Sequence, residues 1–264
     1  MKIKGFLIDL DGVLTRDEEF TPISGAIEFI NFLVKGNIPF IIATSNSRYS
    51  PEEIAYKLVR KGFNLKSNQI VSPLTVAPEV LRSLNINKIY VIGSQNLKKF
   101  LEKENFHISK TPKVDAVIVG LDKKLNFTKI KIATTALKTY NALLFALNKN
   151  ILSKDDDGLL FPGVGTIAKM FSLACQCNEN FTHFGKMGKE YNKLVFSRLG
   201  IKEMEHIAII SDDIYIDLKG YKQLGLKTIF VTTGKYDYDE ALNKNFVDII
   251  VNNLMEIPRR IKIY

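Results

Sequence analysis

Two carboxylates separated by one residue, Asp9 and Asp11, close an apolar run in the stretch FLIDLDGVLT. A turn could account for them alone, since Asp-Gly is a common turn dipeptide and a strand-terminal Asp can cap a turn. Three further stretches, however, place complementary chemistry behind apolar runs. Thr44, Ser45 and Asn46 follow IPFIIA; Gly185 and Lys186 follow FTHF; Ser211, Asp212 and Asp213 follow HIAII. Four such clusters are poorly explained as turns. The carboxylates suit Mg²⁺, a hard cation that prefers oxygen ligands. The hydroxyls, the amide and the ammonium suit a phosphoryl group. A carboxylate approaching a phosphate dianion meets Coulomb repulsion, which a metal and a lysine would offset. Attack by Asp9 would give an aspartyl-phosphate and split one hard displacement into two. Asp11 would protonate the leaving oxygen and later take a proton from water.

The elements that must position these groups follow from hydrophobic period. GFLID (5–9), IPFIIA (38–43), KIYVIG (88–93), DAVIVG (115–120), ALLFAL (142–147), FTHF (181–184), HIAII (206–210), KTIFV (227–231) and VDIIV (247–251) read as buried strands. Ile23, Ala26, Ile27, Ile30 and Leu33 share one helical face, and Ser50, Pro51 and Glu53 signal a helix start running to about Gly62. Segments 190–199 and 214–223 also read as helices. Alternating strands and helices specify an α/β fold with a parallel sheet, whose ligands bind beyond the carboxyl ends of its strands. The chain has 264 residues, 46% of them hydrophobic, enough for one large domain or two modest ones.

The segments DLDGVLT, IIATSNSRYSPEE, FGKMGKEYNKL and IISDDIYIDLKGYKQLGLKTIFVTTG resemble, in order, the four motifs of the haloacid dehalogenase superfamily. The resemblance implies a Rossmann-like parallel-sheet core with an inserted α/β cap domain. By position it makes Asp9 the nucleophile and a Mg²⁺ ligand, and Asp11 the general acid/base whose backbone carbonyl also binds the metal. Thr44, Ser45 and Asn46 correspond to the phosphate-binding motif, Lys186 to the charge-neutralising lysine, Asp212 to the last metal ligand and Asp217 to an acid that orients the site or metal-bound water. The long stretch between Asn46 and Lys186, with GLDKKLNFTKI and ALLFALNKNILSKDDDGLLFPGVGTIAKMF, resembles the cap of the type IIA, NagD-like branch, which includes 4-nitrophenylphosphatase-like enzymes. The implied boundaries are a core of 1–75 and 181–264 and a cap of 76–180. Ser45, Met187 with Gly188, and Ser211 depart from the usual residues of the motifs; Ser211 stands where Gly is common.

Asn148, Asn150 and Asp155 lie in the cap segment that, in the family, faces the active site and selects substrate. Gly163 and Gly165 fit either an anion nest or a closely packed turn. Cys175 and Cys177 are too few for a disulfide framework and read as buried or half-buried helix residues. The formal charge of +9 favours anionic partners, but the basic residues are scattered, so nucleic acid is not expected. Apolar runs are strand-sized and the early acids interrupt any leader-like segment, so the expected setting is the cytoplasm, with no membrane contact. The expected activity is Mg²⁺-dependent hydrolysis of small phosphorylated metabolites. A phosphotransferase or phosphomutase using the same intermediate stays open, as does a non-catalytic binding protein derived from the fold. A metal-dependent glycosyltransferase would also use an Asp-x-Asp pair, but has no use for Lys186 and Asp212. Whether the chain forms a homodimer is left open.

Overall fold

The apolar runs become strands because their side chains are β-branched or aromatic and are covered on both faces of a parallel sheet. All four residues of GFLI and of FIIA are buried, as are all five of IAIIS. A computed structural model describes residues 2–154, 157–177 and 181–263 of the protein. Two compact units divide the chain: the first takes in the chain up to Thr44, Pro51–Val71 and Asn192 onward, and the second Ser45–Ser50 with Ser72–Tyr191.

The first unit contains a six-stranded sheet, in spatial order β14 (Ile249–Val251), β13 (Lys227–Val231), β12 (Ile207–Ser211), β2 (Gly5–Ile8), β3 (Phe40–Ala43) and β4 (Ile70–Val71). Every pairing in it is parallel. A small parallel pair, β1 (Lys2–Ile3) with β15 (Lys262–Ile263), completes the strands of this unit. The helix Ala26–Lys35 starts after a left-handed Gly25, three residues beyond the periodic Ile23, and buries Ala26, Phe29, Ile30 and Leu33. Phe29 meets Phe6 of β2 edge-on at 5.8 Å between ring centroids, a favoured aromatic geometry. Pro51–Arg60 forms the second expected helix. The segment read as one helix over 214–223 instead opens with a π-helical turn, Ile214–Leu218, and only then continues as Lys219–Gln223.

The second unit carries a five-stranded sheet, in order β11 (Thr182–His183), β8 (Leu143–Ala146), β7 (Ala116–Val119), β5 (Lys88–Ile92) and β6 (His107–Ile108), again all parallel. An antiparallel pair, β9 (Leu152–Lys154) with β10 (Leu160–Pro162), accompanies it. The helices Phe127–Thr139 and Val164–Cys175 supply Ala133, Ala136, Ala168 and Phe171 to its core. The run FTHF yields only the two-residue β11, and its partner is β8, Thr182 facing Phe145 and His183 facing Ala146. A boundary at 180/181 leaves β11 with the first sheet, whereas its ladder joins it to the second. Both units are thus α/β with parallel sheets. Among the described residues no helix is long and apolar enough to cross a membrane.

Candidate active site

The centre of the first sheet is the parallel pair β2 and β12, in register with Ile8 opposite Ile210. One step beyond, Asp9 donates its backbone N–H to the Ile210 carbonyl at 2.9 Å, so Asp9 and Ser211 emerge side by side though 202 residues apart. Both are buried, Asp9 6% and Ser211 0% exposed. Asp9 Oδ1 accepts the Leu10 N–H at 2.8 Å, while Ser211 Oγ lies 3.3 Å from Asp9 Oδ2. The same hydroxyl is 2.8 Å from Oδ2 of the buried Asp217. Asp217 reaches this place from the π-helical turn, a feature often found at functional sites. Asp213 caps that turn: its Oδ1 accepts from the Tyr215 and Ile216 N–H groups, and its Oδ2 meets Lys235 Nζ at 3.1 Å. Burial opposes the Lys235 charge, but the Asp213 carboxylate more than offsets it and the Lys235 pKa is raised.

The turn after β2 is tight. Gly12 donates to the Thr15 carbonyl at 2.7 Å and has a left-handed φ of 81°, and Asp11 beside it is exposed. The Gly12 carbonyl accepts the Thr233 hydroxyl at 2.7 Å, joining this turn to the loop after β13. Asp212 lies against both: its Oδ2 accepts the Lys235 N–H at 2.7 Å, and a Cβ added at Gly12 or Gly234 would stand 2.4 or 2.0 Å from that oxygen. Thr44, at the end of β3, is fully buried and donates its N–H to the Val71 carbonyl at 3.0 Å.

The remaining motif residues lie in the second unit. Ser45 and Asn46 are half-buried, and Asn46 Oδ1 folds back to accept the Arg48 and Tyr49 N–H groups at 3.0 and 3.4 Å. Lys186 is 7% exposed, two residues after Phe184, whose N–H continues the β8 ladder at Ala146. Asn148, at the end of β8, is 6% exposed, and its amide points into the protein: Nδ2 donates to the Ser45 carbonyl at 3.4 Å and Oδ1 accepts the Asn150 N–H at 3.1 Å. Gly185 passes so close that a Cβ there would stand 3.1 Å from Asn148 Cα. Asn148 therefore lies against the backbone at both Ser45 and Gly185. Asn150 is half-buried, and Asp155 lies outside the described residues.

The glycines at 163 and 165 are a closely packed turn: their N–H groups donate to Ile151 and Asn150 carbonyls, leaving no nest. His183 Nδ1 has no hydrogen-bond partner, and burial, with the Lys149 charge second, pushes its pKa down to about 4, so the ring is neutral near pH 7. Cys175 is buried with its thiol 3.7 Å from the Thr134 carbonyl, and burial raises its pKa, which suits a core residue.

The donor chemistry fits Mg²⁺. Asp9 and Asp212 offer carboxylate oxygens, and the bare glycines flanking Asp212 leave a cradle that any side chain would fill. Among the described residues no three His, Cys, Asp or Glu side chains group as a metal site. The set implied by the resemblance contains only two carboxylates, its third member being the Asp11 carbonyl. The groups not singled out from sequence as parts of the site are Gly234, Thr233 and the Lys235 N–H; Thr233 and Gly234 close the last motif stretch, and Lys235 follows directly after it.

Two family models match the chain, haloacid dehalogenase-like hydrolase over residues 6–107 and HAD-hydrolase-like over residues 183–257, together more than half of it. The protein belongs to the haloacid dehalogenase-like hydrolases. It is 28% identical over 244 residues to an acid sugar phosphatase of Staphylococcus epidermidis, covering 91% of each chain. A single mutant of the thermostable NPPase from Geobacillus stearothermophilus has a similar structure, with TM-score 0.79, 27% identity and 96% and 97% of the two chains covered. The p-nitrophenyl phosphatase of Archaeoglobus fulgidus shares the fold at TM-score 0.86 and 22% identity over 99% of this chain and 100% of that one.

Proposed function

We propose that the protein is a Mg²⁺-dependent phosphomonoester hydrolase that acts on small phosphorylated metabolites through an aspartyl-phosphate on Asp9, in the cytoplasm. The observation that carries this reading is the placement of a buried Asp9 at the carboxyl end of a central strand, with Oδ1 held by a backbone N–H. The residues before 76 and after 180 would form the catalytic core and 76–180 the cap, β11 being the piece beyond that boundary that pairs into the second sheet. In the first step an Asp9 oxygen attacks phosphorus, the ester P–O bond breaks, and Asp11 gives the leaving oxygen its proton. In the second, Asp11 takes a proton from water as that water attacks the phosphoryl group, releasing phosphate and restoring Asp9. Thr44, Ser45, Asn46 and Lys186 would bind the phosphoryl oxygens, with the lysine offsetting their charge. Asp217 would act through Asp9, as a supporting acid. Mg²⁺, held by Asp9, Asp212 and the Asp11 carbonyl, would supply further charge neutralisation at those oxygens.

The relatives named acid sugar phosphatase and NPPase support sugar phosphates and aryl phosphates as the first substrates to try. Phosphate release from such a panel should require Mg²⁺ and stop on chelation. Transfer to an added alcohol exceeding release to water would instead mark a phosphotransferase, and Mg²⁺ binding without turnover a binding protein.

Asn148 separates two roles for the cap segment. Its contact with the Ser45 carbonyl supports a brace for the phosphate-binding segment over a choice among leaving groups. Asn148→Ala should raise the inhibition constant of inorganic phosphate roughly 10-fold, about 1.4 kcal/mol and within the range of one lost hydrogen bond. Relative kcat/KM among esters should stay level. A changed order of substrates with unaltered phosphate inhibition would return Asn148 to substrate selection.

A further inference from the structure

Ser211 stands between two buried carboxylates, and its hydroxyl has one proton to give. The acceptor side of Oγ is occupied by the Asp213 N–H at 3.0 Å. That bond turns the hydroxyl proton toward the other side, where Asp217 Oδ2 is 2.8 Å and Asp9 Oδ2 3.3 Å away. Asp217 Oδ2 is the nearer acceptor for that proton and Asp9 Oδ2 the second within reach. Asp9 Oδ1 is already fixed by the Leu10 N–H at 2.8 Å. A second donor at Oδ2 restricts rotation of the carboxylate about its Cβ–Cγ bond, which one hydrogen bond leaves less constrained. Glycine, common at this place in the motif that the sequence resembles, offers no side-chain donor.

We infer that Ser211 is a positioning residue for phosphoryl transfer, its hydroxyl setting the plane of the Asp9 carboxylate from the side shared with Asp217. The inference rests on the proposed role of Asp9 as nucleophile. A nucleophile whose oxygens are placed before substrate arrives loses less orientational freedom on the way to the transition state, so the benefit falls on the rate of attack. Substrate affinity, set by groups that bind the phosphoryl oxygens and the leaving group, gains little. As the residue is fully buried, a packing role must be separated from a donor role.

Single-turnover rapid quench with a labelled phosphate ester, in the full chain with Mg²⁺, reads both. Wild type should accumulate label on Asp9. Ser211→Ala and Ser211→Cys, which change volume little but remove or weaken the donor, should label Asp9 at least ~10-fold more slowly, with KM within about 3-fold of wild type and closely similar melting curves. Labelling at the wild-type rate in Ser211→Ala overturns the inference. So does a wild-type rate in Ser211→Cys, which would leave Ser211 a space-filling residue, and so does a loss that falls on KM instead of the labelling rate. Absence of any Asp9 label in wild type under turnover overturns the nucleophile assignment itself, and the inference with it.

Discussion

Asp9→Asn is expected to lower turnover at least ~1,000-fold while the protein stays folded, because the change removes the nucleophile and keeps the shape. The amide oxygen of asparagine can still accept the Leu10 N–H, now at 2.8 Å, and the backbone bond from Asp9 to Ile210 is untouched. The near-isosteric change keeps the packing around the buried side chain, so the melting temperature should stay close to that of wild type. Steady-state phosphate release with the melting temperature measures both. Activity above about a tenth of wild type would reject Asp9 as nucleophile.

Gly12→Ala and Gly234→Ala should each weaken Mg²⁺ binding and lower activity by ~100-fold or more, for reasons that the pair can separate. At Gly234 the effect is steric alone: the new methyl would start 2.0 Å from Asp212 Oδ2, far inside contact distance, so the carboxylate has to leave its place. It would then lose the Lys235 N–H at 2.7 Å as well. At Gly12 a clash of 2.4 Å adds to a φ of 81°, a left-handed conformation that costs alanine on the order of 1 kcal/mol or more. Gly12→Ala should accordingly lose the more stability, and both should lose metal affinity. Calorimetric titration with Mg²⁺ and thermal melts read the two effects. Wild-type Mg²⁺ affinity in Gly234→Ala would mean that Asp212 is not a ligand.

The strands that carry Asp9, Thr44 and Asp212 were legible because a buried parallel strand is an unbroken apolar run, and such runs stand out in any chain. The two-residue strands β4 and β6 were not, since two residues carry no period. The π-helical turn was hidden by its likeness to an ordinary helix start; Asp213, one of the polar residues that follow HIAII, caps it. Ser211 looked like a mere departure from a motif. Its contact with Asp9 arises from a pairing with β2 across some two hundred positions, which no local pattern encodes. Asn148 was placed by resemblance in a segment facing substrate, but the direction of its amide depends on Ser45 and Asn150, and hydrogen-bond direction is not written in residue type.

The pairing that sets Asp9 beside Ser211 also shapes how a chain can be made. β2 lies between β3 and β12 in the sheet. During synthesis β3 follows early, so one side of β2 can be satisfied while most of the protein is still to come. The other side keeps its amides and carbonyls open until Ile207–Ser211 has left the ribosome, after the second unit has been translated. For that interval the nascent chain carries an apolar strand with a free edge, a template for pairing with another chain. Slower elongation between β4 and β12 would lengthen the exposure, and chaperones that cover strand edges should matter more to the yield of this protein than to its final stability.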